Sequence, residues 1–260
     1  MKIIVCIKQV PDTNEVRLDP ATGTLIREGV PSIMNPDDKA GLEAALGIKD
    51  EQGAEVSVIS MGPPQADAVL REALAMGADN AYLVTDRAFG GADTWATSST
   101  LAAAIKNLEY DLIITGRQAI DGDTAQVGPQ IAEHLGIANV SYAEEIKVEG
   151  NNVIVKRQYE DTYHIVKAKM PCLITALSEL NKPRYMTPGG IFDAYREKEV
   201  IIWGRGDITI DDSNLGLKGS PTKVARSFPK NVKGSGQKVT LNPEESAEYI
   251  IEKLKEKFIL

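Results

Sequence analysis

Short apolar runs alternate with stretches of helical spacing over residues 1–140. Lys2–Val10 (KIIVCIKQV) has the continuous apolar character of a buried strand, and Pro11 closes it because proline offers no ladder N–H. A polar excursion follows over Asp12–Ile33, with a hairpin-like turn at Asp19–Thr24 (DPATGT). Asn35-Pro36-Asp37-Asp38 is a helix start: Asn35 can cap, Pro36 suits the first position, and the aspartates favour the positive end of the macrodipole. That helix is expected to run to Gln52 and stop at Gly53.

The alternation then repeats. Ala54–Ser60 is strand-like, and Met61-Gly62-Pro63-Pro64 leads into a helix with a small-residue face at Ala68, Leu70, Ala73, Leu74 and Ala75. Ala81–Val84 is a third strand, and Asp93 caps a helix through Leu108. Tyr110–Thr115 is a fourth strand, and Thr124–Leu135 has helical spacing at Val127, Ile131 and Leu135. Strands joined by crossover helices imply a parallel sheet covered on both faces, an α/β nucleotide-binding architecture. Beyond Asn139 the pattern changes to strand-like runs at Val140–Val148, Val153–Tyr159 and Ile165–Leu177, with a turn at Gly150–Asn152, so antiparallel pairing is expected to extend the sheet. Gly204–Lys238 is rich in Gly, Ser, Lys and Pro and reads as an extended arm. A helix capped by Asn242 ends the pattern, its apolar stripe being Ile250, Ile251, Leu254 and Phe258. The expected organisation is therefore one domain over residues 1–203 and an arm with a docking helix over 204–260.

Composition narrows the class. The 260 residues carry 29 Lys+Arg against 37 Asp+Glu, a net charge of −8, which gives no overall field for nucleic acid. Cys6 and Cys172 both sit in apolar runs, which fits a reducing, cytoplasmic setting and no disulfide or zinc framework. Neither histidine has a ligand partner at metal spacing: His134 is expected to face a helix C-terminus and His164 a strand surface. No apolar stretch has the length to span a bilayer.

The most informative segment is Gly116–Gly128 (GRQAIDGDTAQVG), between a predicted strand and a predicted helix. In open parallel sheets ligands bind beyond the strands' carboxyl ends, where a helix N-terminus offers free N–H groups to an anion. Gly116, Gly122 and Gly128 would let the backbone approach a ligand closely, Arg117 could neutralise phosphate, and Asp121 and Asp123 would cap the helix or accept from ribose hydroxyls. Spacing alone leaves a second reading open, a plain polar strand-to-helix loop, since the segment is neither a G-x-G-x-x-G nor a P-loop.

These residues carry a resemblance. KQVPDT (Lys8–Thr13), MNPDD (Met34–Asp38), SMGPP (Ser60–Pro64), EALAMGAD (Glu72–Asp79), Gly116–Gly128 and NKPRYM (Asn181–Met186) resemble, in order and across essentially the whole chain, the β subunit of electron transfer flavoprotein. The resemblance implies a Rossmann-like, adenine nucleotide alpha hydrolase-like fold and a heterodimer with a larger α subunit. It also implies a nucleotide in the β chain: FAD in forms that oxidise NADH and bifurcate electrons, AMP in simple carriers. By matched positions that site uses Cys6, Asn35, Pro36, Asp37, Asp38, Met61 and the run Gly116, Arg117, Gln118, Ala119, Ile120, Asp121, Gly122, Asp123, Thr124, Ala125, Gln126 and Val127. For Cys6, simple core packing is the competing reading. KQVPDT, Ala92–Ser98 (ADTWATS) and the glycine of AIDGD resemble the bifurcating branch, and Thr94, Thr97 and Ser98 could reach a ligand as long as FAD; the alternative is an ordinary N-cap and helix face. No side chain is assigned as a general acid or base. Electrons would pass from NADH towards an acyl-CoA (butyryl-CoA type) dehydrogenase and ferredoxin. Pro183–Ile191 resembles the family's dehydrogenase-docking loop, with Tyr185, Met186, Pro188 and Ile191 as contacts and Phe192 as a further apolar anchor.

Overall fold

The computed structural model describes residues 1–12, 31–225, 234 and 236–260. The expected turn at Asp19–Thr24 lies outside the described residues, as do 226–233 and 235 of the arm. The chain forms two compact units, Met1–Ala225 and Arg226–Leu260.

The first unit is built on β1 (Lys2–Cys6), β2 (Gln9–Pro11), β3 (Ser32–Met34), α1 (Pro36–Gln52), β4 (Glu55–Met61), α2 (Asp67–Met76), β5 (Asn80–Val84), α3 (Thr94–Ile105), β6 (Leu112–Gly116), α4 (Val127–Leu135), β7 (Ala138–Glu149), β8 (Asn152–Gln158), β9 (Tyr163–Lys169), β10 (Cys172–Ala176), α5 (Pro188–Arg196) and β11 (Val200–Trp203). Among the described residues the main sheet has nine strands in the order β11-β5-β4-β1-β6-β10-β7-β8-β9. Pairing is parallel from β11 to β7 and antiparallel through β7, β8 and β9. The α/β class and the antiparallel extension are thus as the sequence pattern implied.

Alternation along β1 separates the two layers. Ile3 and Val5 face a core shared with Leu42, Leu46, Leu70 and Leu74 of α1 and α2. Ile4 and Cys6 face the opposite core, with Leu101, Ile105 and Ile131 of α3 and α4. Crossovers on both faces reverse direction between β4 and β6, on either side of β1, so the carboxyl ends of these strands diverge into a crevice.

Several boundaries differ from the sequence expectation. Lys2–Val10 is two strands, because after Cys6 the chain leaves the main sheet and Gln9–Pro11 pairs antiparallel with Ser32–Met34. Ile165–Leu177 also divides. Its first part is the antiparallel edge strand β9, and its second, after Pro171, is the central parallel strand β10 between β6 and β7. The Pro188-Gly189-Gly190 step opens α5, capped by Thr187, whose Oγ1 accepts from the Gly190 N–H at 3.0 Å. Residues 204–225 are part of the first unit: Ile208, Leu215 and Ser220 are buried and Arg205 Nε meets Asp212 at 2.7 Å. The division of the chain therefore falls after Ala225, not after Trp203.

The second unit holds α6 (Pro243–Glu256), where Asn242 Oδ1 accepts from the Glu245 N–H at 2.8 Å as a cap. Ile250, Ile251 and Phe258 are exposed. Among the described residues no helix is long and apolar enough to cross a membrane.

Candidate ligand-binding site

A cavity of about 1160 Å³ opens at the carboxyl ends of β1, β4, β5 and β6. One wall is the strand ends themselves, with Cys6, Met61 and Thr115. A second is the segment between β6 and α4, and the third is the segment from Thr85 to Thr97, which carries the chain from β5 into α3.

The floor is fixed by the first turn of α1. Asp38 is 7% exposed, and its two oxygens accept from the backbone N–H groups of Lys8 (2.8 Å) and Gly116 (2.9 Å), tying the ends of β1 and β6 together. Burial pushes its pKa up to about 7, against the pull of these hydrogen bonds. Asp37 is also raised by burial, although Arg117, whose Nε stands 3.5 Å from Asp37 Oδ2, opposes the shift. Asn35 makes no side-chain cap. Its Nδ2 donates to the Gln118 carbonyl at 2.8 Å and its Oδ1 accepts from the Ile120 N–H at 3.1 Å, so the side chain holds the loop after β6. Lys8 Nζ meets Asp121, whose side chain is 3% exposed, at 2.7 Å.

Above this floor the loop takes an unusual path. Asp123 and Ala125 both have left-handed backbones, φ 53° and 52°. That conformation is sterically costly for residues bearing a Cβ, and it delays the helix to Val127, where the sequence spacing suggested Thr124. Helix α4 starts at Gln126 without a side-chain cap, and Gln126, Val127 and Gly128 line the cavity. The first-turn N–H groups of that helix are the donors an anion uses.

The glycines act differently from one another. A Cβ on Gly116 would stand 2.2 Å from Asp38 Oδ1, and one on Gly128 would stand 2.5 Å from Thr115 Oγ1. Their smallness serves packing of the protein on itself. Gly122 alone faces open space, with nothing within 4 Å of a Cβ.

These arrangements make a pocket that can take a long, partly anionic ligand, and the comparisons identify its lineage. Residues 22–202 match the electron transfer flavoprotein domain family. The chain belongs to the electron transfer flavoprotein family. Electron transfer flavoprotein subunit beta of Clostridium acetobutylicum is 61% identical, over 98% of both chains. The caffeyl-CoA reductase-Etf complex subunit CarD of Acetobacterium woodii is 59% identical over the full length of both. The acryloyl-CoA reductase electron transfer subunit gamma of Anaerotignum propionicum is 46% identical, again over both full lengths. The chain is thus an electron transfer flavoprotein subunit of the beta type.

Among the positions that the family resemblance marked, the cavity brings together Cys6, Asp38, Met61, Thr94, Thr97, Gly116, Arg117, Gln118, Ala119, Gly122, Thr124, Ala125, Gln126 and Val127. Asn35, Asp37 and Asp121 stand behind the lining and hold it, as described above. Pro36 and Ile120 are exposed outside the cavity, and Asp123 accepts from Gln118 Nε2. Cys6 is buried, and desolvation raises its thiol pKa well above the ordinary value, so it presents a neutral thiol.

Sequence reasoning reached the third wall only at Thr94 and Thr97. Asp86, Arg87, Phe89, Gly90 and Gly91 line the cavity, and Thr222 reaches it from the segment expected to be a free arm. Thr222 donates through N–H (2.9 Å) and hydroxyl (2.7 Å) to Asp93 Oδ2, while Asp93 Oδ1 caps α3 through Ala96 N–H at 3.0 Å. Burial alone would raise Asp93, but these donors hold its carboxyl below the usual range. The available signal was the Gly-Gly step after the third predicted strand, since that strand ends at the same sheet edge.

His134 is not primarily a helix-terminus partner. Its Nε2 faces Ser98 Oγ (3.2 Å) and Ser99 Oγ (3.1 Å) across the α3–α4 contact, and burial lowers its pKa. Thr94 Oγ1 also donates to Gln126 Oε1 at 2.9 Å, so α3 and α4 are joined at the cavity and again behind it. His164 lies exposed on β9, as expected for a strand-surface residue.

Away from the cavity, Tyr185 and Met186 are exposed on the segment leading into α5, and Pro188, Ile191 and Phe192 are exposed in its first turns.

Proposed function

We propose that this chain is the β subunit of a cytoplasmic, heterodimeric electron transfer flavoprotein whose cavity binds FAD. It takes electrons from NADH and passes them towards an acyl-CoA (butyryl-CoA type) dehydrogenase and ferredoxin. The observation that carries the choice of FAD over AMP is the reach of the cavity. At about 1160 Å³ it exceeds the usual range of ligand sites, roughly 300–1,000 Å³, and it continues past the β6–α4 loop to Arg87 and Thr97.

The residues fit such a ligand. The uncapped start of α4 offers N–H groups to a pyrophosphate. Thr94 and Thr97 supply hydroxyls along the far wall, and Met61, Phe89 and Leu101 supply apolar surface for a ring system. Bound FAD would supply the hydride and single-electron chemistry. The protein's part is to hold, orient and desolvate it. Asp38 is committed to two amides and Cys6 is a neutral buried thiol, so neither is assigned proton transfer.

Two assembly assignments accompany this reading. The unit 226–260, with exposed Ile250 and Ile251 on α6, docks on the α subunit, and the Tyr185–Phe192 surface docks the dehydrogenase. Support for the dehydrogenase surface comes from two relatives, one named as a subunit of a caffeyl-CoA reductase-Etf complex and one as an electron transfer subunit of acryloyl-CoA reductase.

Release of the noncovalent ligands from the purified α/β heterodimer tests the cofactor. Two FAD per heterodimer and no AMP are expected; one FAD and one AMP would overturn the assignment.

A further inference from the structure

The exposed docking segment is short and polar at its borders, yet the structure pins it at both ends. Arg184 carries most of the first attachment. Its backbone N–H donates to Glu43 Oε2 at 2.9 Å, its Nε donates to both Glu43 oxygens at 3.1 and 3.0 Å, and its Nη2 donates to Glu43 Oε1 at 3.0 Å and Asp50 Oδ2 at 2.8 Å. The Glu43 side chain is only 15% exposed, so one largely buried carboxylate of α1 grips both the backbone and the guanidinium of Arg184. Asn181 Nδ2 adds a bond to the Ala40 carbonyl of the same helix at 3.0 Å.

The second attachment is to α2 and the start of β5. A Cβ on Gly190 would stand 2.3 Å from the Ala75 carbonyl oxygen, so only glycine permits this approach. Arg71 donates to the Ala194 carbonyl and lies 5.1 Å from the Tyr195 ring centre, while Lys198 Nζ donates to the Ala78 carbonyl at 2.7 Å. Between the two attachments Tyr185 is 90% exposed. An aromatic side chain held out in water beside a rigidly anchored arginine is a pre-organised contact and not a slack loop.

We infer that Arg184 is a positioning residue for partner docking: its bond to Glu43 holds Tyr185 and Met186 in the conformation that the dehydrogenase meets. This rests on the docking reading given above. A segment that adopts its binding conformation only a tenth of the time binds about 10-fold more weakly, because the apparent dissociation constant scales inversely with that fraction. Rigid fork geometry is what lysine cannot supply at this position.

The test uses the intact heterodimer and a purified butyryl-CoA-type dehydrogenase. Arg184→Met should raise the Kd for the dehydrogenase about 10-fold and accelerate amide exchange over residues 184–187, with flavin content unchanged and Tm lower by only a few degrees. Glu43→Gln, nearly isosteric, should act in the same direction, and Arg184→Lys should restore only part of the affinity. Tyr185→Ala is the control for the docking surface. If it leaves the Kd unchanged, the docking reading itself fails. If it weakens binding while Arg184→Met and Glu43→Gln alter neither Kd nor amide exchange, the surface stands and the positioning role of Arg184 is rejected. A rise in Kd accompanied by loss of flavin, or by faster amide exchange throughout the sheet, also rejects it, in favour of a general structural role.

Discussion

Helix α1 grips the chain twice, and the two grips are built on opposite principles. At its first turn Asp38 is buried and holds two neutral backbone N–H groups, so its charge has no cationic partner in contact and its pKa rises to about 7. Further along, Glu43 and the more exposed Asp50 hold a guanidinium. The first grip closes the floor of the cavity, where the Gly116 donor is buried and the Lys8 donor part-buried. The second positions an exposed segment, and water can replace part of what it loses. Asp38→Ala leaves both donors without their acceptor, and a buried one costs about 1–3 kcal/mol, so a loss of about 3 kcal/mol in urea unfolding is expected. Glu43→Ala should cost less, about 1 kcal/mol, since Arg184 is a third exposed and keeps Asp50 and water as partners. Equal losses would break the distinction.

The buried carboxylate also predicts a dependence of stability on pH. A carboxyl whose folded pKa lies above its unfolded value binds its proton more tightly when folded, so protonation favours the native state. For Asp38 the window runs from its folded value of about 7 down to the ordinary carboxylate range. Stability from this group should therefore increase as pH falls through 7, and it is lost again as pH rises. Asp37 shifts in the same direction. Urea midpoints at pH 5 and pH 8 should differ less in Asp38→Ala than in the parent. An identical pH difference in the two would reject the buried-carboxylate account.

The glycines sharpen the comparison within the cavity floor and rim. Gly116→Ala forces a methyl against Asp38, 2.2 Å from Oδ1 and 2.8 Å from its backbone nitrogen, and overpacking of this kind costs about 1–3 kcal/mol. Gly122→Val meets nothing. It should leave the unfolding midpoint within about 0.5 kcal/mol of the parent. Its effect should appear instead as a lower FAD content of the purified heterodimer, and full FAD content would remove Gly122 from the site.

The alternating layers were legible in the sequence because each central strand is an uninterrupted apolar run and each helix has an apolar face. What escaped was decided by neighbours distant in the chain. Nothing local to Ile7-Lys8 shows that Gln9–Pro11 turns away to pair with Ser32–Met34. Pro188-Gly189-Gly190 reads as a turn until the Ala75 carbonyl, which requires glycine at 190, is in view. Asn35 has the composition and place of a cap, yet a loop more than eighty residues away takes its side chain. In the site, residues on the loop after β6 were found through the strand-end rule. The same rule applied to the strand at Ala81–Val84 would have added Asp86 to Gly91. Thr222 could not be reached that way, because its route to the cavity depends on the burial of Leu215 and Ser220.

The smallest effect tests whether backbone strain is concentrated at the ligand loop. Ala125 holds φ at 52° beside the start of α4 and lines the cavity, two residues after Asp123 at 53°; the helix ends at Gly53 and Gly136 use glycine for the same region, and Tyr142 and Phe258 enter it singly. Alanine in the left-handed region costs about 1–2 kcal/mol, which persists only where the surroundings impose it. Asn35 and Asp38 supply that imposition by fixing Ile120 and Gly116, leaving the chain few ways to reach Val127. Ala125→Gly removes the steric term but widens the unfolded ensemble, and glycine's extra entropy offsets roughly 0.5–1 kcal/mol. The expected net change is a gain of at most about 1 kcal/mol in the ligand-free heterodimer, read from urea unfolding. A loss greater than 1 kcal/mol would mean that the methyl packs usefully and that the left-handed turn is not a reservoir of strain.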